Sequence, residues 1–175
     1  KSFRDWAYDR GETIRATTSF LMADSTTPDG DYIKPQTNPT NTDCWNGKAY
    51  TPLNQLTPGR TKYGTNNNVR IFRYADVLLM NAEAKIKNGK SGDAPFNEVR
   101  RRAQMPELTN VTFEQVIDER RMELVCEWGE RYNDLVRTGL AKTELKGWSE
   151  DKALLPLPFN QYTQIPDLLK EPKDE

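Results

Sequence analysis

The chain has 175 residues, enough to bury one sizeable core, and its 25 basic and 26 acidic residues argue against nucleic acid as a main partner. It contains no histidine, which removes Ser-His-Asp and Cys-His catalysis and HExxH zinc sites. No apolar run approaches the ~20 residues of a membrane-spanning helix, and residues 1–10 lack the apolar core of a signal peptide.

Residues 3–10 carry Trp6 and Tyr8, and residues 14–22, rich in Thr and Ile, read as a strand. From residue 24 to 68 periodicity vanishes, and Pro28, Pro35, Pro39, Pro52 and Pro58 punctuate the chain. Tyr32, Trp45, Tyr50 and Tyr63 argue against disorder, because disordered segments are poor in aromatics. The stretch reads as an ordered, irregular excursion. Asp29, Asp31 and Asp43 are oxygen donors of the kind calcium uses, but their spacing matches no EF-hand loop and a tight turn around Gly30 is the simpler reading. Cys44 and Cys126 form neither a metal-ligand spacing nor a disulfide framework, and read as unpaired structural cysteines.

Helical periodicity begins at residue 71. Over residues 71–88, Ile71, Tyr74, Ala75, Leu78, Ala82 and Ile86 share one face, with Phe72, Val77, Leu79 and Ala84 on its flanks. Arg73, Asp76, Glu83 and Lys87 make the remaining stripe, the one expected to face water. Gly89 supplies the stop. Asp93 is the expected N-cap of a second helix, residues 94–103, with Phe96, Val99 and Ala103 as its inner edge. The two form a helical hairpin of tetratricopeptide (TPR) type, in which the small residues Ala82 and Ala94 and the terminal Pro106 keep the repeat's spacing while its large aromatic positions are not matched.

Thr112 opens a third helix, with Gln115 completing a capping box; that role accounts for Thr112 better than the sequon of residues 110–112. Phe113, Ile117, Leu124, Trp128, Tyr132 and Leu135 make its buried stripe, with a kink expected at Gly129 and an end at Gly139. Trp128 is therefore expected in the core, where truncation would cost ~3–5 kcal/mol. Beyond Gly147 the proline-paced tail reads as extended segments with short turns. The fold class is mainly α: a TPR-like hairpin and a long capped helix, with a long irregular loop-rich segment and short strands. Residues 1–69 form the loop-rich segment and residues 70–175 the helical part of one domain.

Two constellations carry chemistry. On the third helix Arg120, Glu123, Glu127, Arg131 and Asp134 recur at steps of three or four. A pair of acids so placed could serve a glycosidase, one protonated and one ionised. An arginine within one turn of each acid lowers its pKa and favours an ion-pair ladder instead. In the loop-rich segment Trp45 and Tyr50, and beside them Tyr32 and Tyr63, offer flat apolar faces that suit sugar rings, with Asp43, Asn46 and Lys48 near enough to bind hydroxyls. The alternative is that these aromatics pin the loop to the helices.

The blocks RYADVLLMNAEA, NEVRRRAQMP, DERRMELVCEWGERYNDLVRTG and LLPLP, in that order, resemble the C-terminal part of SusD/RagB-family proteins over about residues 70–172. The resemblance implies a lipid-anchored outer-membrane protein that captures oligosaccharides or polysaccharides (peptides in some members) at the cell surface. Such a protein acts with a SusC-like TonB-dependent transporter, and is neither an enzyme nor cofactor-dependent. The membrane would be met only through an N-terminal lipid anchor that this chain does not carry. The chain is accordingly expected to be a C-terminal portion that needs further chain to fold stably. One departure is an extra residue in the Cys126–Glu130 block; another is the ending KEPKDE. A TPR scaffold binding a partner peptide and a carboxylate glycoside hydrolase stand as rival readings.

Overall fold

The computed structural model describes residues 2–35, 44–59, 65, 67–68, 70–154 and 158–164. The fold is mainly α with a few short strands, as the sequence indicates. It divides into two compact units, Lys1–Arg131 and Tyr132–Glu175. In the first unit the loop-rich residues and the helices pack on one another, across the change of composition near residue 69.

Helix α1 (Phe3–Asp9) starts on a capping box between Ser2 and Asp5. It ends where Gly11 takes φ +80° and the Glu12 N–H reaches back to the Ala7 carbonyl, which turns Glu12 into the interior. The segment expected as a strand over residues 14–22 is instead helix α2 (Ile14–Ser19) followed by a three-residue strand, β1 (Phe20–Met22). The Thr17 and Thr18 hydroxyls donate to carbonyls one turn back, which suits the β-branched run to a helix. That helix also buries Arg15 among carboxylates, a requirement no local pattern displays.

β1 pairs antiparallel with β4 (Cys44–Asn46), setting Leu21 opposite Trp45, and β2 (Ser25–Thr26) pairs with β3 (Tyr32–Ile33). Ala7, Ala16, Phe20 and Met122 make a small core beneath, flanked by Phe3 and Trp6. The Arg121 guanidinium lies 4.4 Å from the Trp6 ring centre.

Helix α3 (Tyr74–Lys87) begins three residues later than predicted, with Arg73 extended at its N-cap. Gly89 ends it with the expected left-handed stop. Its facing follows the expectation only in part: Ala75, Leu78 and Ala82 are buried as expected, with Ile86 packed against them. Asp76 and Glu83 are buried with Leu78, Leu79 and Ala82, whereas Ile71, Phe72, Tyr74 and Val77 are exposed. The charged stripe turns inward because Arg73 and Asp76 find partners on the third helical segment.

α4 (Asp93–Arg102) packs on α3 and buries Phe96 and Val99, and Ala103 beside it, as predicted. The small residue at the contact is Gly92, whose added Cβ would sit 2.9 Å from the Ala82 carbonyl oxygen; Ala94 is exposed. Asp93 does not cap α4. Its carboxylate accepts the N–H groups of Asn110 and Val111 and so ties down the loop to the next helix.

α5 (Phe113–Glu123) opens on the predicted Thr112–Gln115 capping box but stops at Glu123. Residues 124–129 leave the helical path, with Cys126 at φ +61° and Gly129 at φ +80°, before α6 (Glu130–Arg137) resumes. A continuous helix would commit the Glu123 carbonyl to the Glu127 N–H. Here that carbonyl instead accepts from Lys48 Nζ (2.6 Å) and an Arg73 guanidinium nitrogen (2.7 Å). Two cations at the helix C-terminus thus replace one backbone bond. Trp128, expected in the core, is 61 % exposed as a result.

In the second unit Asp134 pairs with Arg137, and Gly139 (φ +76°) ends α6. The tail is not wholly extended as expected: after α7 (Ala141–Glu144) come a 3-10 turn (Glu150–Ala153) and α8 (Phe159–Gln164). The α8 turn begins on a bond from the Gln161 N–H to the Pro158 carbonyl, where proline's fixed φ suits a helix start. Residues 155–157 and 165–175, which hold the rest of that expectation, lie outside the described residues.

Candidate functional site

The site stands on a buried ionic cluster. Gly47 lies so close to α2 that an added Cβ would fall 2.0 Å from the Thr18 carbonyl oxygen. This contact lets the 3-10 turn Gly47–Ala49 carry Lys48 inward, where Nζ meets Glu127 (2.7 Å) as well as the Glu123 carbonyl. Glu123 accepts from Arg15 (3.2 Å), Arg73 (2.7 Å) and Arg102 (2.5 Å). Glu119, fully buried, accepts from Arg10 (2.7 Å), Arg15 (2.6 Å) and Arg100 (2.9 Å). Arg120 pairs with Asp76 at 2.6 Å.

Glu119 and Glu123 of α5, and Glu127 just beyond it, are therefore ion-paired, but not along their own helix. Their cations arrive from the end of α1, α2, the Gly47–Ala49 turn, the α3 N-cap and α4. Burial pushes the Glu119 carboxyl up, yet the arginines around it prevail and hold it below the usual range. Glu127 is likewise raised by burial and lowered further by Arg73 and Lys48. Burial pulls the Lys48 ammonium down, against the opposing pull of Glu127.

Above this cluster the structure brings together three of the four aromatics singled out in the loop. Tyr32, Trp45 and Tyr50 line one open cavity of about 520 Å³ with Leu21, Ile33 and Lys34. Tyr32 is 52 % and Trp45 39 % exposed; Tyr50 is half-buried. Their polar tips are already engaged by the protein. Tyr32 donates to Asp24 (2.5 Å), Trp45 to the Lys34 carbonyl (3.3 Å), and Tyr50 to the Asp31 carboxylate. The rings are thus fixed with their faces open, an arrangement suited to stacking on an apolar face of a ligand. Asp31 also accepts the Leu53 N–H, so the acidic turn at residues 29–31 anchors the loop. Tyr63 and Asp43 lie outside the described residues. Cys44 and Cys126 are free thiols, and burial pushes the Cys126 thiol up.

A second cavity of about 480 Å³ adjoins the first, sharing Ala49 and Tyr50. Trp128, Arg70, Asn67, Asn68 and Glu127 line it. The Trp128 indole N–H donates to the Arg70 carbonyl (2.5 Å), and Asn67 Nδ2 donates to Thr51 Oγ1 (3.0 Å). Sequence reasoning missed this half of the site because Trp128 falls on an apolar helical stripe. The available signal was the extra residue in the Cys126–Glu130 block. One residue inserted into a helix turns everything after it by about 100°, and the chain here leaves the helix instead.

The chain is similar to the SusD-like protein P38 of Formosa agariphila, 33 % identical over 119 residues, covering 58 % of this chain and 24 % of that protein. It is also similar to the starch-binding protein SusD of Bacteroides thetaiotaomicron, 36 % identical over 81 residues, 46 % of this chain and 14 % of the relative. Among solved structures it superposes on surface glycan-binding protein A of Bacteroides uniformis with a TM-score of 0.69 and 27 % identity, covering 90 % of this chain and 37 % of that one. The surface glycan-binding protein A of Bacteroides thetaiotaomicron gives a TM-score of 0.70 and 28 % identity, covering 97 % and 38 %. The chain thus spans well under half the length of these relatives. A model of the SusD family matches residues 3–167, nearly the whole chain, and on that match the protein belongs to the SusD family.

Proposed function

We propose that this chain is part of a cell-surface protein that binds oligosaccharide or polysaccharide, and that Tyr32, Trp45 and Tyr50 are its stacking platform. The observation that carries the reading is the convergence of these rings on one open cavity, with their polar tips tied back to the protein. Membership of the SusD family, and similarity to proteins named for starch or surface-glycan binding, support it. On this reading the whole protein is lipid-anchored in the outer membrane and passes its ligand to a SusC-like TonB-dependent transporter. No cofactor enters the proposal.

The function proposed is binding without turnover. A glycosidase needs one carboxyl kept protonated. Glu127, a carboxylate lining the Trp128 cavity, has its pKa lowered by Arg73 and Lys48, which favours its ionised form. The test is calorimetry with an oligosaccharide panel on the protein and on Trp45→Ala and Tyr50→Ala, beside thermal melts. Truncating a contact aromatic should weaken binding by ~2 kcal/mol, more than tenfold. If Trp45→Ala lowers the melting temperature sharply and leaves affinity untouched, the aromatics are loop anchors and the assignment fails.

A further inference from the structure

Where the Trp128 cavity meets the ionic cluster, the charges do not balance. A third cavity, of about 280 Å³, shares Lys48, Tyr50, Arg70 and Glu127 with the Trp128 cavity. Five arginine or lysine side chains line it against two carboxylates, Glu123 and Glu127, and one of the five, Arg15, is also neutralised from behind by Glu12 and Glu119. Both carboxylates are already saturated, Glu123 by three arginines and Glu127 by Arg73 and Lys48. Arg70 stands on the border of the two cavities. It is exposed, and its guanidinium makes no hydrogen bond or ion pair among the described residues. On the inner wall Ser19 is fully buried, and its hydroxyl has no partner either.

We infer that this compartment binds the anionic substituent of an acidic sugar, a carboxylate or a sulfate ester, whose ring stacks on Trp128. The inference rests on the glycan-binding reading above and adds the class of glycan. A planar guanidinium without a counter-ion can form two parallel bonds to a carboxylate or sulfate. Lining residues of net positive charge strengthen that attraction. A neutral sugar can give Arg70 a hydrogen bond through a hydroxyl oxygen but no counter-charge, whereas an anionic substituent supplies both.

The experiment is a glycan microarray carrying neutral, uronate-containing and sulfate-containing oligosaccharides, followed by calorimetry on the strongest binders at low and high salt. The same measurements are made on Arg70→Gln and Trp128→Ala. Arg70 is exposed and has no partner for its guanidinium among the described residues, so Arg70→Gln should keep the parent melting temperature. Acidic oligosaccharides should bind tighter than neutral ones of equal length by about tenfold or more, and salt should erode the difference. Arg70→Gln should abolish the preference, and Trp128→Ala should weaken acidic ligands. Binding confined to neutral oligosaccharides, or a preference unchanged in Arg70→Gln, overturns the inference while leaving the glycan-binding reading intact. Binding to no oligosaccharide at all overturns both.

Discussion

Glu127 and Trp128 are neighbours in the chain, yet they serve opposite halves of the molecule. Glu127 faces inward to Lys48 and Arg73, while Trp128 lies open on the cleft. The ionic half is defined by saturation: Glu119 and Glu123 each meet three arginines and Glu127 meets Arg73 and Lys48, so losing one member strands several others. The aromatic half is defined by vacancy, in ring faces that the fold holds but does not cover. Charges that sustain the fold and rings proposed to meet a ligand should therefore respond differently to the same kind of truncation.

The largest effect is expected at Glu119, which three arginines share in a fully buried site. Glu119→Ala should destabilise the fold by about 3–5 kcal/mol, through stranded positive charge. Denaturant melts would read it directly, and a loss below ~1 kcal/mol would mean the cluster is far wetter than its burial implies. Next comes Gly47→Ala. Its new methyl group meets a backbone carbonyl, which cannot rotate away as a side chain could. The turn must shift and take Lys48 with it, at a cost of about 1–3 kcal/mol. A neutral result would show that the turn can ride off α2 freely.

A smaller, pH-dependent effect follows from the lowered carboxyls of Glu119 and Glu127. A group whose folded pKa lies below its unfolded one contributes stability that is fully present above the unfolded value, ~4.3. That stability is lost as pH falls through the folded pKa. With no histidine to titrate, the melting temperature should stay nearly level from about pH 8 to 5 and fall below about 4. A marked slope between pH 6 and 7 would contradict the assignment. The smallest stability effect is expected at Trp128: Trp128→Ala should move the melt by no more than ~1 kcal/mol, because most of the ring is already in water.

How far the sequence is legible follows the same division. Features decided within one turn of chain are readable: the Thr112–Gln115 box, the Gly89 stop and the inner edge of α4 all appear where their local chemistry predicts. That Glu119 and Glu123 are ion-paired is partly readable, but their arginines come from other elements and not from the neighbouring turns of α5. What fails is whatever a distant partner decides. Asp76 and Glu83 look solvent-facing by periodicity but turn inward, Asp76 toward Arg120 and away from water. Residues 14–19 look like a strand until Arg15 is required beside Glu119. The helix through residue 128 looks continuous until Lys48 and Arg73 claim the Glu123 carbonyl. Tyr32, Trp45 and Tyr50 could be selected by residue type, but their convergence depends on strand pairings that no short-range pattern encodes.

The ionic cluster also bears on how the chain reaches its native state. The bonds of Arg15 and Arg10 to Glu119 join residues 104 and 109 apart in sequence, and the Lys48–Glu127 bond spans 79. The α3–α4 hairpin needs only a short loop to close, whereas the cluster needs most of the first unit to be looped together first. Until α1, α2 and the Gly47–Ala49 turn arrive, Glu119 and Glu123 remain hydrated on a helix whose apolar side is already docked. Docking of the loop-rich segment is then expected to be the slow step, and the aromatic cleft, built largely from that segment, is expected to take shape only as the chain finishes folding.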